Sequence, residues 1–155
     1  MTPEPFEIRV SEWFNTPAPL DLASLRGRVV ILGAFQMLCP ACVAHSIPQL
    51  KKLHQLFREA PVTVIGLHTV FEHHEAMQPV SLKAFIHEYR LEFPIGVDAA
   101  GGKAIPLTMQ SLNLQGTPST VILDREGRIR LHQFGHVDDL ALGAVVGQLV
   151  GQLAG

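Results

Sequence analysis

Apolar and polar positions along this chain fall into blocks, and the blocks change period. Val29-Val30-Ile31-Leu32-Gly33-Ala34-Phe35 is apolar throughout, which predicts a strand covered on both faces of its sheet. The run 62–68 has the same character. Between the two, Leu50, Leu53, Leu56 and Phe57 recur at helical spacing and predict a helix over 40–58. Ser81 is expected to cap a second helix over 82–90, whose Leu82, Phe85, Ile86 and Tyr89 share a face. Residues 93–97 read as a short strand and 106–112 as a short helix. Then come a strand over 119–123, the turn Asp124-Arg125-Glu126-Gly127, and a returning hairpin arm over 128–133. Asp138 is placed to cap a last helix carrying Leu140, Val145, Leu149 and Val150. At the front, residues 6–14 predict an edge strand and 20–25 a connector.

The early order predicts parallel βαβ units and the late order an antiparallel hairpin. The expected fold class is therefore α/β, a central mixed β-sheet flanked by helices. No repeat, linker or composition break divides the chain. One domain is expected over 1–155, with 1–19 as an N-terminal extension or edge strand.

Composition narrows the function classes. Hydrophobic residues make up 47% of the 155 residues, which excludes a disordered tail. The formal net charge of −2 gives no general pull towards nucleic acid or anionic membrane, and neither is expected as a partner. The first residues, Met1-Thr2-Pro3-Glu4-Pro5, do not read as a secretory signal, so the cytoplasm is the expected compartment. The longest strongly apolar run is far too short to span a membrane.

Two cysteines, Cys39 and Cys42, can neither build a disulfide scaffold nor supply four zinc ligands. They stand two residues apart at the expected strand-to-helix junction. Pro40 suits the first helical position, where its missing N–H costs nothing. The free N–H groups and positive dipole end of the helix favour a thiolate at Cys39. Cys39 is thus the expected attacking thiol and Cys42 the shielded, resolving one. Half of a metal site completed by histidines, or two structural cysteines, are the competing readings.

With these residues in place, the sequence resembles the thioredoxin superfamily, and within it the redoxin domains related to the TlpA/ResA group. Three stretches carry the resemblance: residues 20–28 before the first long strand, Cys39-Pro40-Ala41-Cys42, and Gly116-Thr117-Pro118. It implies a thioredoxin-like fold and thiol-disulfide exchange, with no cofactor and no metal. It also implies a cis Pro118 facing the thiols, and Leu38, Pro40 and Thr117 beside an extended protein disulfide substrate. An unidentified thiol would supply electrons, and a monomer or weak dimer is expected.

Four departures qualify the likeness. Leu38 stands where the family usually has Trp before the first cysteine. Gly33 stands where thioredoxin keeps a buried acid. His45 replaces a Glu three residues after the second cysteine and is a candidate for proton transfer, or simply a partly covered helix residue. Pro48 follows Cys42 by six residues instead of five and is expected to kink the helix.

Other activities remain open. A thiol peroxidase of peroxiredoxin type would carry a hydroxyl residue where Gln36 stands and Pro where Leu32 stands. A non-catalytic redox sensor could use the same cysteine pair. Copper-handling relatives add a distant histidine, for which His132 and His136 are candidates. The stretch 68–79, with His73, His74, Glu72 and Glu75, lies at a strand's carboxyl end, where α/β sheets carry their sites. Phe71, His73 and His74 are candidates for a wall of the substrate groove. A proton relay, a weak metal locus or an irregular connector anchored by Phe71 and Met77 are the alternatives.

Overall fold

Strand formation follows the apolar runs closely. The computed structural model describes residues 6–102 and 104–152. Its strands are β1 (Val10–Phe14), β2 (Val29–Phe35), β3 (Val62–His68), β4 (Ile95–Asp98), β5 (Ser119–Leu123) and β6 (Ile129–Phe134). Its α-helices are α1 (Ile47–Leu56), α2 (Pro79–Glu88), α3 (Leu107–Ser111) and α4 (Asp139–Gly151). The sheet order is β1-β4-β3-β2-β5-β6. β2 pairs in parallel with β3, and β3 with β4, while β1, β5 and β6 join antiparallel. This is the expected mixed sheet.

β2 is buried along its whole length because both of its faces are covered. Val29, Ile31 and Phe35 join one core cluster with Leu50 and Leu53 of α1, Leu82 and Ile86 of α2, and Leu142, Val146 and Leu149 of α4. The alternate residues Val30, Leu32 and Ala34 join a second cluster with Met109, Leu112 and Leu114. Period-two alternation thus feeds two cores from one strand. Each fully buried side chain of this size contributes about 1.5–3 kcal/mol.

Several boundaries differ from the sequence expectation, each for a local reason. β1 starts at Val10 instead of residue 6, and pairs with β4 at the sheet edge. Residues 1–5 of the expected extension lie outside the described residues. Ser81 is not a cap: α2 starts at Pro79, with Gln78 as N-cap, because proline fits the first helical turn. Asp138 does cap α4, accepting the Ala141 N–H at 3.0 Å. The hairpin turn closes on Asp124, whose Oδ1 accepts the N–H groups of Glu126 and Arg128 at 2.9 Å each. Gly127 takes φ +85° there, a conformation other residues adopt at a cost.

The helix after β2 is not one continuous α-helix. A π turn occupies Cys42–Ser46 and α1 follows. The Ile47 N–H reaches back to the Cys42 carbonyl, one residue further than an α-helix would. Pro48 sits in the first turn of α1 and has no N–H to give. The π turn takes up one extra residue, so Pro48's later position leaves Leu50 and Leu53 facing the sheet.

Candidate active site

β2 delivers the chain to the site and a tight turn aims it. The Cys39 N–H donates to the Gln36 carbonyl at 3.1 Å, closing the turn Gln36-Met37-Leu38-Cys39. Leu38 stands at its tip, 56% exposed, with Pro40 also exposed beside it. His68, at the end of β3, holds the turn from below: its Nε2 accepts the Met37 N–H at 3.2 Å. Burial lowers the His68 imidazole from its ordinary 6.5 to about 4, so it is a neutral acceptor at physiological pH.

The two thiols have different surroundings. Cys39 is half-buried and Cys42 is completely buried, and both are free. The Cys42 N–H donates to Cys39 Sγ at 3.3 Å, as expected of a sulfur at a helix start. Burial pushes the Cys42 thiol up to about 12, helped by its hydrogen bond with Cys39; the Gln36 backbone and the Thr117 side chain work the other way. At neutral pH Cys42 therefore holds its proton.

The loop before β5 closes the site. The Thr117–Pro118 bond is cis, the isomer the resemblance implies. Cys39 Sγ lies 3.5 Å from the Thr117 carbonyl oxygen, which accepts from the thiol. Pro118 is buried, and its carbonyl accepts the Gly135 N–H at 2.8 Å. Phe134, 54% exposed, lays its ring over Gly116, where a Cβ would come within 3.0 Å of it. Leu38, Cys39, Pro40, Thr117 and Pro118 are thus brought together.

The histidines are distributed differently. Among the described residues, neither His45, His73 nor His74 hydrogen-bonds to a cysteine. His45 is exposed and packs on His136, ring centroids 5.0 Å apart. His132 Nε2 lies 2.9 Å from the Leu112 carbonyl oxygen. His73 and His74 are exposed, and His74 Nε2 meets the Ala104 carbonyl at 3.1 Å. Of the candidate groove residues, Phe71 comes to the site: its N–H donates to Gln36 Oε1 at 3.2 Å. Thr69 anchors the start of this segment, its hydroxyl donating to Asp98 at 2.8 Å. Burial raises the Asp98 carboxyl, against bonds from Thr108, Thr69 and Met109. Among the described residues no three His, Cys, Asp or Glu side chains are grouped to hold a metal. No described helix is long and apolar enough to cross a membrane.

Sequence reasoning missed two site residues. His68 was part of a noted stretch without a role of its own. Gln36, which the sequence marks only as the place of a peroxidase hydroxyl, has its amide engaged by Phe71 and by Thr117 Oγ1, at 3.3 Å from Nε2. Their signal was a polar residue at the end of an apolar run. The place thioredoxin gives to a buried acid is filled here: a Cβ on Gly33 would lie 2.6 Å from Leu50 Cδ1.

Comparison with known proteins agrees with this geometry. The family model described as Redoxin matches residues 8–140. The crystal structure of a thioredoxin-like superfamily protein superposes with a TM-score of 0.94 at 52% identity, covering 97% of this chain and 98% of that one. The crystal structure of a thiol-disulfide isomerase from Corynebacterium glutamicum gives a TM-score of 0.90 at 49% identity, covering 96% of each chain. Protein DipZ of Mycobacterium tuberculosis (strain CDC 1551 / Oshkosh) is 27% identical over 143 residues, 91% of this chain and 20% of DipZ. The chain therefore spans about a fifth of that curated relative.

Proposed function

Because the chain belongs to the Redoxin family, we propose that it is a thiol-disulfide oxidoreductase acting on protein disulfides. The observation that carries this reading is the unequal dithiol beside Thr117-Pro118. An accessible sulfur receives a helix N–H, and a buried thiol keeps its proton three residues later.

In the reducing direction, Cys39 thiolate attacks one sulfur of the target disulfide. The target S–S bond breaks, its other sulfur leaves as a thiolate, and a mixed disulfide forms on Cys39. Cys42 then loses its proton to solvent and attacks Cys39 Sγ. The bond to the target breaks, the target leaves with both sulfurs reduced, and Cys39–Cys42 is the oxidised product. Run backwards, the same steps oxidise a dithiol. Thr117 is half-buried beside the thiols and is the place for backbone contact with an extended target chain, and Leu38 and Phe134 give apolar surface nearby. The name of the Corynebacterium relative, a thiol-disulfide isomerase, supports the same class of chemistry.

Peroxide reduction has less support, because the Gln36 amide already serves Thr117 and Phe71. The test is insulin reduction with dithiothreitol, run beside peroxide consumption with the same thiol supply. Turnover of insulin and a stable mixed disulfide on Cys42→Ser are expected. Peroxide loss without insulin turnover would overturn the reading.

A further inference from the structure

β2 and β5 pair antiparallel from Val30 opposite Leu123 to Ala34 opposite Ser119, and there the ladder stops. Continued by two residues, the same register would set Gln36 opposite Thr117. Pro118 lies between Thr117 and Ser119 and has no N–H to carry the ladder on. A side-chain bond stands in its place: Gln36 Nε2 donates to Thr117 Oγ1 at 3.3 Å. Gln36 is only 1% exposed, so its amide needs internal partners. Its Oε1 accepts the Phe71 backbone N–H at 3.2 Å, and a backbone N–H can only donate, which fixes the end of the amide that faces Thr117. The residues on either side of Thr117 are held from β5 and the end of β6. The Ser119 hydroxyl donates to the Gly116 carbonyl at 2.7 Å, and the Gly135 N–H to the Pro118 carbonyl at 2.8 Å. Towards the dithiol, Thr117 is held by Gln36 through its hydroxyl and by the Cys39 thiol through its carbonyl, 3.5 Å from Sγ. The thiol bond needs the thiol proton. A Cys39 thiolate has no proton to donate, and neither has Cys39 joined to a target, whereas the Gln36 amide keeps its own.

We propose that Gln36 is a positioning residue for target docking: it clasps the Thr117 loop to the end of β2, and so keeps the seat of the target chain in place beside Cys39 once the sulfur has given up its proton. The proposal rests on the oxidoreductase reading. It makes Gln36 matter most to a target with a peptide chain to seat, and less to a disulfide without one.

The test compares two disulfides. Insulin brings a peptide chain to Thr117, whereas the aryl disulfide dithiobis-nitrobenzoate has none and releases a coloured thiolate on attack by Cys39. The readout is the ratio of kcat/KM for insulin to the rate constant for attack on the aryl disulfide, since partial unfolding or an altered thiol changes both together. Gln36→Leu should lower this ratio by about fivefold, the effect of one hydrogen bond. Thr117→Val, which puts a methyl group in place of the hydroxyl, should give the same fall, and Thr117→Ser should bring the ratio back. An unchanged ratio in Gln36→Leu or in Thr117→Val, or a fall that Thr117→Ser shares, overturns the clasp while the oxidoreductase reading stands. Should Gln36→Leu not fold, the two Thr117 variants decide alone. If the wild-type protein turns over no insulin, that reading fails and this inference with it.

Discussion

Two neighbouring segments leave the same end of the sheet, one after β2 and one after β3, and both are rich in reactive side chains. The segment 36–42 buries Gln36 and Cys42 and gives both fixed partners: the Gln36 amide takes the Phe71 N–H and Thr117 Oγ1, and the Cys42 N–H takes Cys39 Sγ. The segment 72–75 holds Glu72, His73, His74 and Glu75, all exposed. The density of titratable residues is higher in the second, whereas the proposed chemistry lies in the first. Burial with a fixed partner constrains where a group points and how it ionises, whereas an exposed side chain keeps its rotamers and its solvent. His68 sits between the two and belongs with the first, since it is buried and holds the Met37 N–H.

The comparison can be broken most directly at Cys39. Cys39→Ser is expected to lower disulfide turnover by at least about a thousandfold, measured as the insulin reduction rate. Next in size is Gly33→Asp, which would put an acid at the place where thioredoxin keeps one. Its Cβ would meet Leu50 and its charge would be buried, so a loss of stability of about 3 kcal/mol or more is expected in urea unfolding. Leu50→Ala in the same chain should recover part of the steric share.

A smaller effect is expected from His68 in acid. Unfolded His68 takes a proton near 6.5, and the folded residue resists until about 4. The unfolded state therefore binds more protons in that window, and stability is whole above 6.5 and lost as the pH falls towards 4. His68→Gln keeps an acceptor for Met37 and should flatten this acid limb in pH-dependent unfolding. The smallest effect belongs to the exposed segment. His73→Ala and His74→Ala should each leave turnover within about twofold and stability within about 0.5 kcal/mol. A large loss from either would erase the distinction drawn between the segments.

Legibility in the sequence followed the range of the interaction. Val29–Phe35, Val62–His68 and Ser119–Leu123 were readable as strands because an apolar run reports its own burial. Asp138 was readable because a cap bonds within its own turn. Ser81 was misread because Pro79, two residues earlier, is the better helix starter. The site's cysteines and Thr117-Pro118 were legible from spacing and resemblance. Gln36 was not, because its partners Phe71 and Thr117 lie 35 and 81 positions away. His68, 31 positions from Met37, was hidden for the same reason.

The π turn over Cys42–Ser46 divides one helix into two parts that answer to different demands. Upstream, the backbone must hold a sulfur pair in reach of each other. Downstream, Leu50 and Leu53 must mesh with the sheet. The wide turn acts as an expansion joint between them, taking up a residue without turning the core-facing ridge. Deleting one of Val43, Ala44 or His45 is therefore expected to convert the wide turn to α-helix while Leu50 and Leu53 stay seated against the sheet.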